Sequence, residues 1–521
     1  MYKKENKGQL VIVELKDFIL PFSGKLNPNN QWVILSKIIP WEKVEEKYIT
    51  IFSEDGAPAI PARVAFGSLI IKEKMNLTDR GTVEQIMENP YLQYFLGMSS
   101  YDSYKAPFDS SMMVHFRKRF SEEALCEINE IIAKVASEKL KNEKQNNYKD
   151  IDKTDKSGGV QPQLKLLNNK DSKVERENIN SNKGNLILDA TCTPADITYP
   201  TDINLLNEGR EKTEEIIDTL YEEIKQQKQD YQKPRTYREI GRKKYLGIVR
   251  AKKLKKNVIR KAIRQQLSLV KRNLKTIDKM FDLIKSLNPC ALYPLSMKQM
   301  KNLWAIDIMY HQQHEMYTNK KHNVADRIVS LSQRYVRPIL RGKKNAATEF
   351  GAKIAISIVD GISYVEKLSW DNFNEGLTLK ESIERYKQRF GYYPTAVMVD
   401  KIYRNRDNIK YCKENNIRLT GPKLGRPNPA TTELDKKQEY QDSGIRNTVE
   451  GKFGEGKRTY GLGRIMSKLK STSETEIVLQ FIVMNLGQKL RVIFCKFLEI
   501  IFSSFFKKME FVLCKKNAFL A

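Results

Sequence analysis

The 521-residue sequence predicts an α+β protein: an N-terminal all-helical domain, then an α/β domain interrupted by a long, basic helical insertion. Three observations predict it. Residues 61–140 carry helical apolar patterns and cap signals. Two short apolar runs, Asn185 to Asp189 and Thr395 to Asp400, read as buried strands that each end in an acid. Between them lies a long heptad-spaced helix in a stretch dense in Lys and Arg.

Residues 1–60 are mixed and give no clear pattern. Ala62 to Lys74 has a compact apolar face, and Thr82 with Gln85 stands in capping-box spacing. Ser121 opens a further helix to about Lys141, and Arg117, Lys118 and Arg119 just before it face either phosphates or solvent. Residues 141–184 are rich in Asn, Lys, Asp, Ser and Gly, a composition that cannot offset its ordering entropy, and read as a linker. After the first strand, Leu205 to Lys228 reads as a helix. From Lys233 to Lys275 there are seventeen Lys/Arg against one acid, Glu239. The helix from about Asn257 to Leu287 has apolar residues at 259, 263, 267, 270, 274, 277, 281 and 284, a coiled-coil seam that suits an intramolecular hairpin with the preceding helix better than a dimer contact. Lys353 to Val359 and Ser363 to Trp370 read as a hairpin closed by Asp360-Gly361. Helices at 378–390 and 405–415 flank the second acidic strand, and Ile417 to Thr420 is a short strand. Gly421 to Gln441 reads as a polar loop, and Ser443 to Lys457 and Glu474 to Lys489 as helices. Without the insertion, this is the element order of a ribonuclease-H-like domain. The domains follow: 1–140 helical and DNA-binding; 141–184 linker; 185–204 with 345–490 the ribonuclease-H-like unit; 205–344 the insertion; 491–521 a tail.

Composition speaks to partners. Lys and Arg number 91 against 63 Asp and Glu, a formal charge of +28, which favours polyanions, nucleic acid above all. The six cysteines form no Cys-x-x-Cys pair, so neither a zinc ribbon nor a redox motif is indicated, and a reducing cytosol fits. The N-terminus lacks an apolar signal core, and the apolar stretch Val492 to Phe506 is short of a membrane span and holds Lys496 and Glu499; no membrane partner is expected.

Asp189 and Asp400 stand at strand ends, where side chains of an α/β sheet line the ligand crevice. Either can simply start a turn. Arg446, Glu450, Gly454 and Lys457 fall on one helical stripe, with Lys452, Arg458, Tyr460 and Arg464 nearby. Gly451, Gly454 and Gly456 weaken that helix and suggest close approach of another backbone, such as DNA. Carboxylates suit Mg²⁺ or Mn²⁺, and a pair of such ions promotes phosphodiester displacement. Asp196 and Asp202 are alternatives to Asp189, whereas Asp360 belongs to a turn. His311 and His314, near Asp307, suit packing or surface roles, and nothing near Cys192 activates its thiol.

The segment Arg446-Asn-Thr-Val-Glu450 with Lys457 resembles the Arg-x3-Glu-x6-Lys signature of bacterial insertion-sequence transposases of the DDE type. Leu188-Asp189-Ala-Thr-Cys-Thr-Pro194 and Val397-Met-Val-Asp400-Lys-Ile-Tyr-Arg404 resemble the blocks around their two aspartates. Phe350-Gly-Ala-Lys353, Gly421-Pro-Lys-Leu-Gly-Arg-Pro427 and the helical region Pro61 to Phe120 are similar to this group as well, so the likeness covers roughly residues 60–490. The fuller signature has a Tyr three residues before the Arg; here that residue is Ser443. The resemblance implies that Asp189, Asp400 and Glu450 hold Mg²⁺ or Mn²⁺, two ions in all. It implies that Arg446 and Lys457 contact DNA or support Glu450; Lys452, Arg458, Lys401 and Arg464, basic residues beside the three acids, are further candidate DNA contacts by position. The implied activity is cleavage at element ends followed by strand transfer. The partners would be double-stranded DNA, as terminal inverted repeats and target, bound by a homodimer or higher oligomer in the bacterial cytoplasm at the nucleoid. A DNA-binding protein without catalysis, or a nuclease without strand transfer, are the competing expectations.

Overall fold

The runs that read as strands come together as one mixed sheet. The computed structural model describes residues 14–50, 59–134, 182–288, 294–343, 346–421 and 433–519. At the sheet's centre, β1 (Asn185–Pro194) pairs antiparallel with β3 (Ala346–Val359), which pairs antiparallel with β4 (Ile362–Ser369). On its other side β1 pairs parallel with β5 (Ala396–Met398), and β5 parallel with β6 (Arg418–Leu419). The path is therefore β4-β3-β1-β5-β6. A further strand, β2 (Arg337–Lys343), lies along the first half of β3 and belongs to the sheet, although it falls within the span 205–344 read as insertion. The hairpin turn is where the sequence put it, with Asp360 at φ 49° and Gly361 at φ 80°.

Leu186-Ile187-Leu188 is apolar on both sides because β1 is covered on both faces. Leu186, Leu188, Val397 and Val399 pack against α12 (Leu379–Phe390) and α13 (Arg406–Glu414). Ile187, Ile354, Ile356 and Met398 face the opposite layer, made by α14 (Glu433–Thr459) and α15 (Lys470–Phe519). Both helices exceed expectation. α14 starts ten residues before Ser443, within the stretch read as loop, and α15 runs on through residues 491–519, read as a separate tail. Residues 422–432 of that loop, 141–181 of the linker and the helix beyond residue 134 lie outside the described residues.

The N-terminal helices do not stand apart. α1 (Gln31–Ile38), α2 (Trp41–Ile49), α3 (Ala62–Met75), α4 (Asp79–Glu88), α5 (Pro90–Phe95), α6 (Met112–Arg119) and a helix over residues 122–134 (α7) surround the start of α15. The reason is in the sequence of α15: Ile477-Val-Leu-Gln-Phe-Ile-Val-Met-Asn-Leu486 is apolar almost all round, so it is buried all round. One core thus joins Phe66 and Phe116 to Phe481 and to Ile354 of the sheet. The segment Lys470–Lys496 is long and apolar enough to cross a membrane by composition, and here its apolar side chains form this core. Thr82, read as a cap, sits inside α4; the cap is Thr78, whose hydroxyl accepts from the Gly81 N–H at 3.1 Å. Arg117 donates twice to Asp79 (2.8 and 2.6 Å) and Arg119 donates to the Tyr48 hydroxyl (3.0 Å), leaving Lys118 exposed.

Asn485 is the buried polar clasp between α15, α7 and β4. It accepts from the Ser363 N–H (2.9 Å) and donates to the Ser363 carbonyl (2.7 Å) and to Asn129 (2.9 Å). Asn485→Ala leaves the buried Ser363 N–H without this partner, so a loss of about 2 kcal/mol is expected from the shift in urea midpoint. Asn485→Leu, similar in volume but apolar, is expected to recover little of it.

The insertion is a bundle of α8 (Asp202–Gln227), α10 (Lys256–Leu287) and α11 (Met297–Asn319), with α9 (Arg238–Val249) alongside. The heptad seam of α10 is met within the chain, Leu267 and Val270 against Leu206 and Ile306, Ile277 and Ile284 against Ile217 and Leu220. This is the hairpin arrangement expected from the seam.

Candidate active site

The last paired rung between β1 and β5 is Ile187 opposite Met398. Each chain then runs two residues further to an aspartate, Asp189 and Asp400. By the two-residue period of a strand, both acids share the sheet face of Ile187 and Met398, the face covered by α14. They stand where the parallel ladder stops, at the carboxyl-end crevice of the sheet. Asp189 is part-buried within a strand longer than predicted, and Asp400 is exposed at the start of a short 3-10 turn. Each carboxylate accepts a bond from the next residue's N–H, Ala190 at 2.8 Å and Lys401 at 2.7 Å.

Burial pushes the Asp189 carboxyl up to about 6; the charges of Glu375 and Asp400 add to the rise, while the Ala190 N–H and the Arg446 guanidinium oppose it. Tyr403, fully buried beside these acids, has its phenol pushed up by burial and then by Glu375, Asp189 and Asp400. Glu375 is held by Lys353 at 2.8 Å, and Lys353 also donates to the Phe373 carbonyl at 2.8 Å. Strand and helix periodicity gave no sign of Glu375, which lies on a 3-10 turn after β4. The nearby Lys353 was visible as the first residue of a strand and as part of the Phe350 to Lys353 resemblance, not as a partner of Glu375.

α14 crosses this face with Val449 and Phe453 buried, which turns the next stripe, Arg446, Glu450 and Lys457, toward the crevice rim. Arg446 is the hub. It lies 3.7 Å from Glu450, its charge favours the ionised form of Asp189, and it lines a pocket of about 260 Å³ with Asp400, Thr420, Glu439, Asp442 and Ser443. Glu450 itself is 65% exposed. The structure therefore brings Asp189 and Asp400 together and ties Glu450 to them through Arg446. Among the described residues no three His, Cys, Asp or Glu side chains are close enough to hold one ion jointly.

The remaining basic residues differ in their placement. Lys401 and Arg458 are exposed and Lys457 is half-buried, whereas Lys452 is turned inward, 10% exposed and 3.9 Å from Glu455. Arg464, with Lys468, grips Asp196. Asp202 is taken by Arg327 at 2.7 Å, so both alternatives to Asp189 are committed to ion pairs. Gly456 serves internal packing, since a Cβ there would stand 2.4 Å from Leu462 and 3.1 Å from Met484. Gly444 and Gly451 face open space, a smooth flank beside the Glu450 stripe. His311 is exposed on α11, 3.6 Å from Asp307, and Cys192 is buried in β1.

Residues 397–487, which hold Asp400 and Glu450, match the family model described as Transposase DDE domain, and residues 21–119 match Transposase domain (DUF772). The likeness to insertion-sequence DDE transposases is thus found at two separate stretches of the chain; Asp189 lies outside both. A protein of Rhizobium meliloti, described as uncharacterized protein ORF8 in nfe locus, is 34% identical over 103 residues, which is 20% of this chain and 49% of that protein. The match spans about half of that relative's length. No solved structure matches the chain.

Proposed function

We propose that the chain is a DDE transposase that cuts DNA at the ends of a mobile element and joins the freed ends to target DNA, with Asp189, Asp400 and Glu450 as its carboxylates. The observation that carries this is the pair of aspartates level with each other past the end of the β1–β5 ladder, on the face that α14 crosses with Glu450. The match of 397–487 to a transposase DDE domain supports it, as does the strand path β4-β3-β1-β5-β6, that of a ribonuclease-H-like sheet.

The donor set fits a hard divalent cation. Asp189 and Asp400 offer oxygens at one crevice, and Glu450 can join them when its exposed side chain leaves Arg446. Mg²⁺ or Mn²⁺ bound there, as two ions, would supply charge stabilisation for phosphodiester displacement. The chain's own residues do the rest. Asp189 is ionised at neutral pH and available as a ligand. Arg446, freed from Glu450, can take a phosphate with its planar fork. Lys401 beside Asp400 and Lys457 on the Glu450 stripe are further phosphate partners, Arg458 is exposed on the next face of α14, and the Gly444 and Gly451 flank lets a DNA backbone approach α14 closely. The DNA is read as the element's terminal inverted repeats and target, bound by a homodimer or higher oligomer in the bacterial cytoplasm.

The test is incubation of the full chain with a duplex carrying the terminal repeat that flanks its gene, in Mg²⁺ or Mn²⁺ and in EDTA. Metal-dependent nicking at the repeat end plus joined products is expected. Nicking without joining would reassign the chain as a nuclease, and binding without nicking as a non-catalytic DNA-binding protein.

A further inference from the structure

We propose that the exposed face of α10 in the insertion is a second DNA-backbone surface, separate from the catalytic crevice; this rests on the transposase reading. α10 buries its apolar seam against α8 and α11. The opposite side carries Lys261, Arg264, Lys271, Arg272, Lys275 and Lys279, spaced three or four residues apart except for the adjacent pair and one seven-residue step. They form one basic stripe over about 27 Å of helix, with the exposed Asp278 as an acid at its edge. Among the described residues, none of the six is within ion-pair distance of a carboxylate. Two acids of α8 are engaged by other cations: Glu214 by Arg210, Asp218 by Lys233 and Arg238.

The stripe is shaped as well as charged. A hollow of about 280 Å³ is lined by Ser268, Lys271, Arg272, Lys275, Thr276 and Lys279, four cations and two hydroxyls without an acid. Arg272 is pre-positioned: its guanidinium lies 3.8 Å from the centre of the Tyr237 ring, which Arg235 also covers at 4.6 Å. Its Nε is buried without a hydrogen-bond partner. Cations and hydroxyls along one helix face are the groups that hold phosphates without reading sequence. A membrane surface is the poorer occupant, because interfacial helices insert an exposed apolar face and that of α10 is already buried in the bundle. A duplex, with one charge per about 1.7 Å of axis, matches a long stripe of this kind. The insertion begins with α8 soon after β1, so the bundle that carries the stripe is joined to the strand that holds Asp189.

The test measures binding of the full chain to the terminal-repeat duplex, and to a scrambled duplex of equal length, across a KCl series. The variant K271Q/R272Q/K275Q/K279Q removes four cations from the stripe. The variant K367Q/K380Q/K387Q/K410Q removes four exposed lysines from the β4, α12 and α13 side, and melting curves check that both fold. Loss of four phosphate contacts makes the slope of log K against log [KCl] shallower by about 3.6 and weakens binding by about 100-fold or more at physiological salt, on both duplexes alike. The control variant is expected to keep the native slope. A stripe variant with the native slope, or equal losses in both variants, overturns the surface while leaving the transposase reading intact, because the native chain still binds and cuts. A native chain that binds neither duplex overturns both.

Discussion

Asp189→Asn is expected to abolish cutting and joining while making the metal-free chain more stable at neutral pH. On the proposed assignment the loss follows from removing the charge of a metal-binding oxygen, and a fall of at least ~10³-fold in single-turnover cleavage is expected. The gain in stability follows from burial. The folded carboxyl is raised from 3.8 to about 6, so the folded state holds this proton more tightly than the unfolded one. Ionising Asp189 therefore costs stability. The cost is absent below about pH 4, grows between 4 and 6, and is complete above 6. Asparagine carries no such cost. At pH 7.5 the variant is expected to gain on the order of 1–2 kcal/mol, less than the full shift implies because the group is partly open to solvent. At pH 4 the two proteins are expected to melt alike. Asp400→Asn makes the comparison sharper: Asp400 is exposed, so the same loss of cutting is expected with an unchanged melting temperature. Native-like cleavage by either variant would remove that residue from the site. An unchanged Asp189→Asn melting temperature would contradict the burial argument.

Gly351→Ala is expected to be among the most damaging single substitutions in the sheet. A Cβ at residue 351 would stand 2.0 Å from the Thr193 carbonyl oxygen and 2.8 Å from the Pro194 Cα, both backbone atoms of β1. A flexible side chain can move aside, but a paired strand cannot without giving up its ladder. Gly351 is opposite Pro194 in the β1–β3 register, and Phe350 beside it accepts the Ala195 N–H at 2.9 Å. A loss of about 3 kcal/mol or more is expected in urea unfolding. Displacement of β1 is expected to reduce cleavage as well, since the same strand carries Asp189. A variant with native stability and activity would show that β1 and β3 are not as close there as described.

Elements whose reason to form is local were legible in the sequence. The α10 seam, the Asp360-Gly361 turn and the apolar run before Asp189 each carry their own signal within one element. What was missed depends on distant contacts. α14 begins at Glu433, in a polar stretch that no apolar periodicity marks, although Arg418 on β6 meets Asp442 there. The N-terminal helices read as a domain of their own because nothing local tells that Phe66 and Phe116 share a core with Phe481. β2 was unreadable because its pairing partner is the first half of β3, a strand longer than its apolar run. Within the site, the three carboxylates were chosen from strand ends, helix stripe and family blocks. Arg446 as the group joining them, and the Lys353–Glu375 pair behind Asp189, needed the fold. Lys452 shows the limit of a helical stripe argument: its position near Glu450 suggested a DNA contact, yet it lies on the side of α14 turned into the protein.

The central claim is that Asp189, Asp400 and Glu450 share one divalent-metal site. Fe²⁺ favours oxygen and nitrogen donors like those of Mn²⁺ and, with ascorbate and peroxide, generates hydroxyl radicals that cut the polypeptide beside the bound ion. The cuts in the full chain, mapped by mass spectrometry, are predicted to fall beside all three residues and to disappear under excess Mg²⁺. Cuts confined to other segments, or cuts beside one of the three that Mg²⁺ does not suppress, would contradict a shared site.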